Sequence, residues 1–290
     1  MPTNLSLQNI VEQLTSRHNE NYPTIPLHER RIPSIDCLRK IVDIIRTIIF
    51  PGYSGSPIVN GESLINHTEV AMEKLFHSLS QQVYDALFFE SVESESHIDK
   101  EKSQEITYTF LNKLPHIKQL MSTDVEAIFN SDPAAKSYGE IIFSYPAIRA
   151  ILNYRIAHEL YLLEIPIIPR IITELAHSET GIDIHPGAQI GKYFSIDHGT
   201  GIVIGQTAII GNHVTLYQGV TLGAKSFTLD EAGHPVDVPR HPILEDHVTV
   251  YSNSSILGRI TIGEGTVIGG NVWLTHSVPP NSRIVQTKAT

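Results

Sequence analysis

The chain has 290 residues, enough for two domains or one long one, and its 41% hydrophobic and 18% charged content is that of an ordinary globular protein. A net charge of −10 with no basic cluster argues against a nucleic-acid or anionic-membrane partner. The single cysteine, Cys37, excludes a disulfide within the chain, and the opening MPTNLSLQNIVEQL lacks the basic and long apolar segments of a secretory signal, so a cytoplasmic protein is expected.

Residues 1–31 are polar and punctuated by Pro23 and Pro26, with a short amphipathic helix marked by Leu5, Ile10, Val11 and Leu14. A helix over 34–50 is predicted, capped by Ser34 and striped by Leu38, Ile41, Val42, Ile45, Ile48 and Ile49. Its run IVDIIRTIIF is interrupted by Asp43 and Arg46 and is too short to span a bilayer. Pro51 to Gly61 reads as a loop, 65–90 as a second helix, and the acidic tract Glu90 to Ser103 as a solvated connection. Helices follow over 103–121, 122–130, 134–143, 146–164 and 170–179, with Ser131-Asp132-Pro133 read as a helix N-terminus and Gly181 as the last stop.

From Ile184 onward the periodicity changes to six. Ile184, Ile190, Ile196 and Ile202 hold one register; after a slip of two, Ile204, Ile210, Leu216 and Leu222 hold another; Leu244, Val250, Ile256, Ile262, Ile268 and Leu274 complete the run. Four residues after most of these stands a small or branched side chain, among them Ala188, Ala208, Val214, Val220 and Ser254, while Phe194 and Ile260 are larger than the pattern wants. A six-residue step is neither helical nor simply alternating, and it fits a prism of stacked coils, each of three short strands, about 18 residues per coil. The loop from Gly223 to Pro242 leaves the repeat; the 22 residues from Leu222 to Leu244 read as one whole coil plus four. The expected organisation is therefore helical over 1–180, a β-helix over 181–280 with an inserted loop at 223–242, and a tail at 281–290, an α+β chain.

A prism has flat faces and no closed pocket, so sites are expected in clefts between protomers of a threefold assembly. Three ionisable clusters interrupt the repeat: Asp183-Ile184-His185-Pro186, Asp197-His198-Gly199-Thr200-Gly201 and Arg240-His241-Pro242. A histidine within reach of a hydroxyl can take its proton during attack on an acyl carbon. A carboxylate on the far ring nitrogen would fix the tautomer.

DIHPGAQIG, then IDHGTGIVIGQTA, then a loop closing in RHP, together with DPAAKSY and YRIAHEL just upstream, resembles the serine O-acetyltransferase family over residues 130–280. The resemblance implies a left-handed parallel β-helix. It implies transfer of acetyl from acetyl-CoA to L-serine in cysteine biosynthesis, without a metal. His198 matches the general base, Asp183 its orienting carboxylate and His241 a second active-site histidine. Asp132 and Asp197 match the residues that bind the serine ammonium, and Arg240 the cation for its carboxylate. Gly223, Ala224, Ser252 and Gly270 match the path of coenzyme A, although AKSFTLDEAGHPVDVP is longer and more acidic than the family's loop. The resemblance further implies a homotrimer, or a dimer of trimers, and feedback by L-cysteine at the serine site. The end QTKAT lacks the terminal isoleucine with which relatives plug O-acetylserine sulfhydrylase, so a weak or absent complex with that enzyme is expected.

Three other readings compete. One is a hexapeptide acyltransferase for another hydroxyl or amine. Another is a metal lyase of the gamma-carbonic-anhydrase type using imidazoles among His185, His198, His213, His241 and His247. The third is a non-catalytic scaffold.

Overall fold

The computed structural model describes residues 7–15, 32–53, 61–90 and 100–286. The Pro23 and Pro26 linker, most of the 51–61 loop and of the acidic tract, and the last four residues of the tail lie outside that set. Among the described residues eight helices come first: α1 (Leu7–Thr15), α2 (Ile35–Ile49), α3 (Gly61–Glu90), α4 (Lys100–Leu111), α5 (Leu114–Ser131), α6 (Tyr138–Ser144), α7 (Pro146–Leu162) and α8 (Ile168–Thr180). No described helix is long and apolar enough to cross a membrane.

The α2 boundary follows its sequence signals. Ser34 accepts a bond from the Cys37 N–H, and the predicted stripe from Leu38 to Ile49 is buried. Gly181 ends α8 in the left-handed conformation at φ 70°. Two expectations fail. The break between the fourth and fifth helices falls at 112–113, not 121, because Pro115 starts α5 in its first turn. Asp132 is the C-cap of α5 and not an N-terminus; the next helix begins six residues later, where Ser137 accepts the Glu140 N–H and Glu140 reaches back to the Lys136 N–H.

The strands are two or three residues long and parallel. They are β1 (Asp183–Ile184), β2 (Gln189–Ile190), β3 (Ser195–Asp197), β4 (Val203–Ile204), β5 (Ile209–Ile210), β6 (Thr215–Tyr217), β7 (Thr221–Gly223), β8 (Ile243–Leu244), β9 (Thr249–Val250), β10 (Ser255–Leu257), β11 (Thr261–Ile262), β12 (Val267–Ile268), β13 (Trp273–Leu274) and β14 (Arg283–Ile284). Every third strand up to β13 joins the same sheet, and β14 then pairs with β12: β1-β4-β7-β10-β13 form the first wall, β2-β5-β8-β11 the second and β3-β6-β9-β12-β14 the third. This is a left-handed parallel β-helix, the α+β architecture expected.

Ile184, Ile204, Leu222, Ile256 and Leu274 stack inside the first wall, each at most 2% exposed. Each such side chain contributes about 1.5–3 kcal/mol by leaving water. The coil length varies around the predicted value. Ile204 opposes Leu222 at the plain step, but Ile184 opposes Ile204, two residues further, because the turn holding His198 to Gly201 is longer. Ile202 accordingly sits two before Ile204, in the slot that Ala208 takes before Ile210, and is not a member of the first register. The 22 residues from Leu222 to Leu244 also resolve differently. Leu222 belongs to the first wall and Leu244 to the second, so the chain makes one six-residue step plus an excursion of sixteen, not a coil plus four.

The helices are fastened to the first coil by a buried ion pair. Arg155 on α7 donates to Asp124 on α5 at 3.1 Å and to the carbonyls of Ile190 and Gly191 at 2.7 and 2.6 Å, while Asp124 also accepts the Phe194 N–H. Phe194, the oversized residue of the first coil, is fully buried at this junction. The Tyr154 hydroxyl donates to the Ala188 carbonyl at 2.6 Å, and the Ser131 and Ser195 hydroxyls meet at 2.9 Å. Removing Arg155 would leave a buried carboxylate unpaired, a loss of about 3–5 kcal/mol. This junction holds the end of α5, and so Asp132, beside β3.

Candidate active site

The corner between the third and first walls carries the first group. After β3 the chain turns through His198, Gly199 and Gly201, all with positive φ, at 57°, 93° and 80°. A Cβ on Gly199 would lie 2.5 Å from the Ile182 side chain, so the turn requires glycine there. The left-handed backbone at His198 turns the imidazole outward, 76% exposed, with Nε2 3.9 Å from Asp197 Oδ1.

Asp132 faces the same corner from the end of α5. Its Oδ1 accepts the Ala134 N–H at 2.8 Å, and its Oδ2 accepts the Tyr145 hydroxyl at 2.6 Å. The Tyr145 bond above all, then the Ala134 bond, with a contribution from His198, hold Asp132 below the usual carboxylate range. Tyr145 is in turn pushed up to about 12, first by its bond to Asp132. Tyr217, stacked on Tyr251 at 4.8 Å, is raised by burial, then by Tyr251, Asp197 and Asp132. Within one chain, Asp197 lies beside His198 and Asp132 is within the electrostatic reach of His198. Ser252 and Gly270 belong to this corner too, in contact across successive coils.

The corner between the first and second walls carries the second group, delivered by the sixteen-residue excursion. His241 is buried. Its Nδ1 receives the Thr207 N–H at 3.1 Å, and a backbone N–H can only donate, so the neutral ring carries its proton on Nε2. The Thr207 hydroxyl accepts from the Arg240 and His241 N–H groups, which leaves its own hydrogen for Nδ1 at 2.9 Å. A Cβ on Gly205 would overlap the imidazole. Burial first, then Arg240 and Arg259, lower His241 to about 4. His185 at the same corner is lowered to about 4, again chiefly by burial, and its Nδ1 accepts the Gly187 N–H.

Arg240 is not an open fork: it donates to Asp237 at 2.9 Å and to Gln206 at 2.7 Å. A cleft of about 550 Å³ opens here, lined in part by His158, Gln206, Thr207, Asp237 and Arg259. Gly223 and Ala224 stand where the excursion leaves β7, at the other edge of the first wall from Ser252 and Gly270.

Among the described residues the carboxylate within 4 Å of a His198 ring nitrogen is Asp197, while Asp183 lies on β1 with one carboxylate oxygen within 4.8 Å of a donor atom of Glu174 and one of His177. Those three donors could hold a metal ion, although Glu174 is already paired with Arg170 and His177. The five histidines weighed as metal ligands divide among three corners: His198 at one, His185 and His241 at another, and His213 stacked on His247 at 4.7 Å and on Tyr193 at the third. Tyr145, Thr207 and Gln206 are residues of these corners that the sequence reading passed over, and Asp237 one it met only as a charge on the inserted loop. The Gln206-Thr207 pair lies inside IGQTA of the quoted motif and Asp237 inside the quoted loop, while Tyr145 carried no signal.

The family model of bacterial transferase hexapeptides (six repeats) matches residues 241–276. A plasmid-encoded serine acetyltransferase of Synechococcus elongatus is 43% identical over 290 residues, covering 97% of this chain and 91% of that protein. The serine acetyltransferase of Bacillus subtilis is 44% identical over 167 residues, 58% of this chain and 73% of its own. The crystal structure of Entamoeba histolytica serine acetyltransferase 1 in complex with L-cysteine superimposes with a TM-score of 0.74 at 34% identity, covering 89% of this chain and 88% of that one.

Proposed function

The chain belongs to the serine acetyltransferase family, and from that premise we propose how its residues carry acetyl transfer from acetyl-CoA to L-serine. His198 is the general base. It takes the proton from the serine hydroxyl as the oxygen attacks the thioester carbonyl carbon; the carbon–sulfur bond then breaks, and the imidazolium returns the proton to the thiolate of CoA. Asp132 and Asp197 receive the serine ammonium. Arg240 meets the serine carboxylate by exchanging one of its bonds to Asp237 or Gln206. His241, neutral with its proton on Nε2, donates to the oxyanion that develops on the thioester.

Asp183 orients His198. What supports this is the backbone: the Gly201 N–H bonds the Gly181 carbonyl at 2.8 Å and the Asp183 N–H bonds the Ile202 carbonyl at 2.9 Å, so the turn holding the base is tied to the segment holding the acid. The exposed imidazole has room to rotate toward it.

The two groups occupy different corners of one prism, on either side of the first wall. A threefold assembly that sets the His198 corner of one protomer against the His241 corner of the next would join them, with coenzyme A running along that cleft past Gly223, Ala224, Ser252 and Gly270. L-Cysteine, which differs from serine at one atom, competes for the same residues; the L-cysteine complex of the Entamoeba relative supports this. A cytoplasmic setting belongs to the same proposal.

The observation that carries the reading is an exposed histidine on a strained turn, flanked by two carboxylates from different elements. CoA release from acetyl-CoA is measured with L-serine, L-homoserine and simple amines, on the native chain beside His198→Ala. Turnover with L-serine that disappears in the variant is the expected result. Turnover with a different acceptor would keep the base and remove the roles of Asp132, Asp197 and Arg240.

A further inference from the structure

Asp132 leaves the end of α5 in an extended conformation, with nothing in its own backbone to fix the side chain. Two bonds do so instead. The Ala134 N–H takes Oδ1 at 2.8 Å, and the Tyr145 hydroxyl takes Oδ2 at 2.6 Å. An ionised carboxylate accepts at about four lone-pair positions. Two are therefore engaged, and the remainder are available for an incoming cation.

Tyr145 is itself held from both sides. Its N–H bonds the Ile141 carbonyl at 3.1 Å as the C-cap of α6, it is the N-cap of α7, and the following Pro146 keeps its backbone extended at φ −79° and ψ 122°. The ring packs half-buried against the core. Pro146 thus fixes the tyrosine, and the tyrosine fixes the aspartate across two helix ends.

We infer that Tyr145 is a positioning residue of the substrate site: its hydroxyl holds Asp132 in the one orientation that presents a carboxylate edge to the substrate ammonium beside Asp197. The inference rests on the proposed serine site and adds to it a residue that acts through Asp132 and not on the reacting atoms. Electrostatics give it a second task. The Tyr145 bond is the largest influence holding Asp132 ionised. A protonated Asp132 would present a neutral group to the ammonium.

The test is steady-state kinetics on Tyr145→Phe, Asp132→Ala and the double variant. Both substrates are varied, and 3-hydroxypropionate serves as a competitive probe that has the hydroxyl and carboxylate of serine but no ammonium. L-Serine binding without acetyl-CoA, measured by calorimetry, keeps the result independent of turnover. A bond to a charged group is worth enough to change affinity about tenfold. Tyr145→Phe is therefore expected to raise the L-serine KM and Kd about tenfold. The kcat, the acetyl-CoA KM and the 3-hydroxypropionate Ki should stay within about twofold, and the double variant should be no worse for serine than Asp132→Ala alone.

A serine KM unchanged in Tyr145→Phe, while Asp132→Ala raises it, overturns the role of Tyr145 and leaves the serine site standing. Serine and 3-hydroxypropionate weakened equally would mean that the tyrosine only supports the fold, and also overturns it. No effect of Asp132→Ala on serine would overturn the serine site and with it this inference.

Discussion

The two corners that flank the first wall make opposite use of histidine. At one, a turn only two residues longer than the repeat puts His198 on a left-handed backbone with its ring 76% exposed and a carboxylate 3.9 Å away. At the other, a sixteen-residue excursion returns to the wall and buries His241, with Nδ1 committed to Thr207 and the ring seated on Gly205. A short insertion brings little of its own and leaves the side chain room to move. A long one brings Asp237 and Arg240 and fixes the His241 ring against Thr207 and Gly205. A base must swing and change protonation during turnover, whereas an oxyanion donor works best already fixed and neutral. On the roles proposed for His198 and His241, the prism would supply both from one repeat by varying how much chain each corner inserts.

The largest expected effect breaks the exposed corner. His198→Ala should lower kcat by about 10²–10⁴ with little change in the acetyl-CoA KM, the range for loss of a general base. Asp183→Asn and Asp197→Asn then separate two neighbouring carboxylates. The first should lower kcat as the tautomer loses its partner, and the second should raise the serine KM with kcat nearly retained. If Asp197→Asn instead lowered kcat and Asp183→Asn did not, the orienting role would pass to the carboxylate that already lies against the ring.

The locked corner is tested through its floor. Gly205→Ala places a methyl group where the His241 imidazole lies, and overpacking of that kind costs about 1–3 kcal/mol. For a chain of this size each kcal/mol lowers Tm by about 2–4 °C, read by differential scanning calorimetry. The displaced ring should also lose catalytic effect, so activity measured well below Tm should fall too. A variant with native Tm and native kcat would show that His241 has slack the geometry denies, and the contrast between the corners would dissolve.

How far this was readable beforehand differs by element. The prism was legible because one constraint, an aliphatic side chain on the axis, recurs at Ile184, Ile204, Leu222, Ile256 and Leu274 and in the two other walls. The Ser34 cap was legible because capping is local. The N-terminus assigned to Asp132 failed because Asp-Pro is compatible with either end of a helix; the deciding pattern was Ser137-Tyr138-Gly139-Glu140, a four-residue cap that the reading passed over. The motif histidines were legible from their context. Their partners were not: Tyr145 reaches Asp132 across two helix ends, and Thr207 reaches His241 only because Ile209 and Ile243 pair in adjacent coils. Those contacts belong to the assembled wall and leave no periodic trace.

The smallest effect sharpens the comparison without touching turnover. His241 and His185 are both lowered to about 4 in the folded chain, chiefly by burial, whereas an unfolded histidine titrates near 6.5. Above about pH 6.5 both states are neutral at these sites and stability carries no pH dependence from them. Between about 6.5 and 4 the unfolded chain binds protons that the folded chain refuses, so folding stability falls as pH falls. Each histidine contributes a slope of at most about 1.4 kcal/mol per pH unit in that window. Denaturant unfolding of the native chain and of His241→Gln across pH 4–8 reads it directly. The variant should lose stability at neutral pH through its broken bonds to Thr207, yet show a shallower decline toward pH 4 than the native chain. Equal slopes would mean that His241 accepts its second proton while folded. A donor that can also be charged would then stand at the corner assigned to a fixed neutral one, and the division of labour between the two histidines would rest on exposure alone.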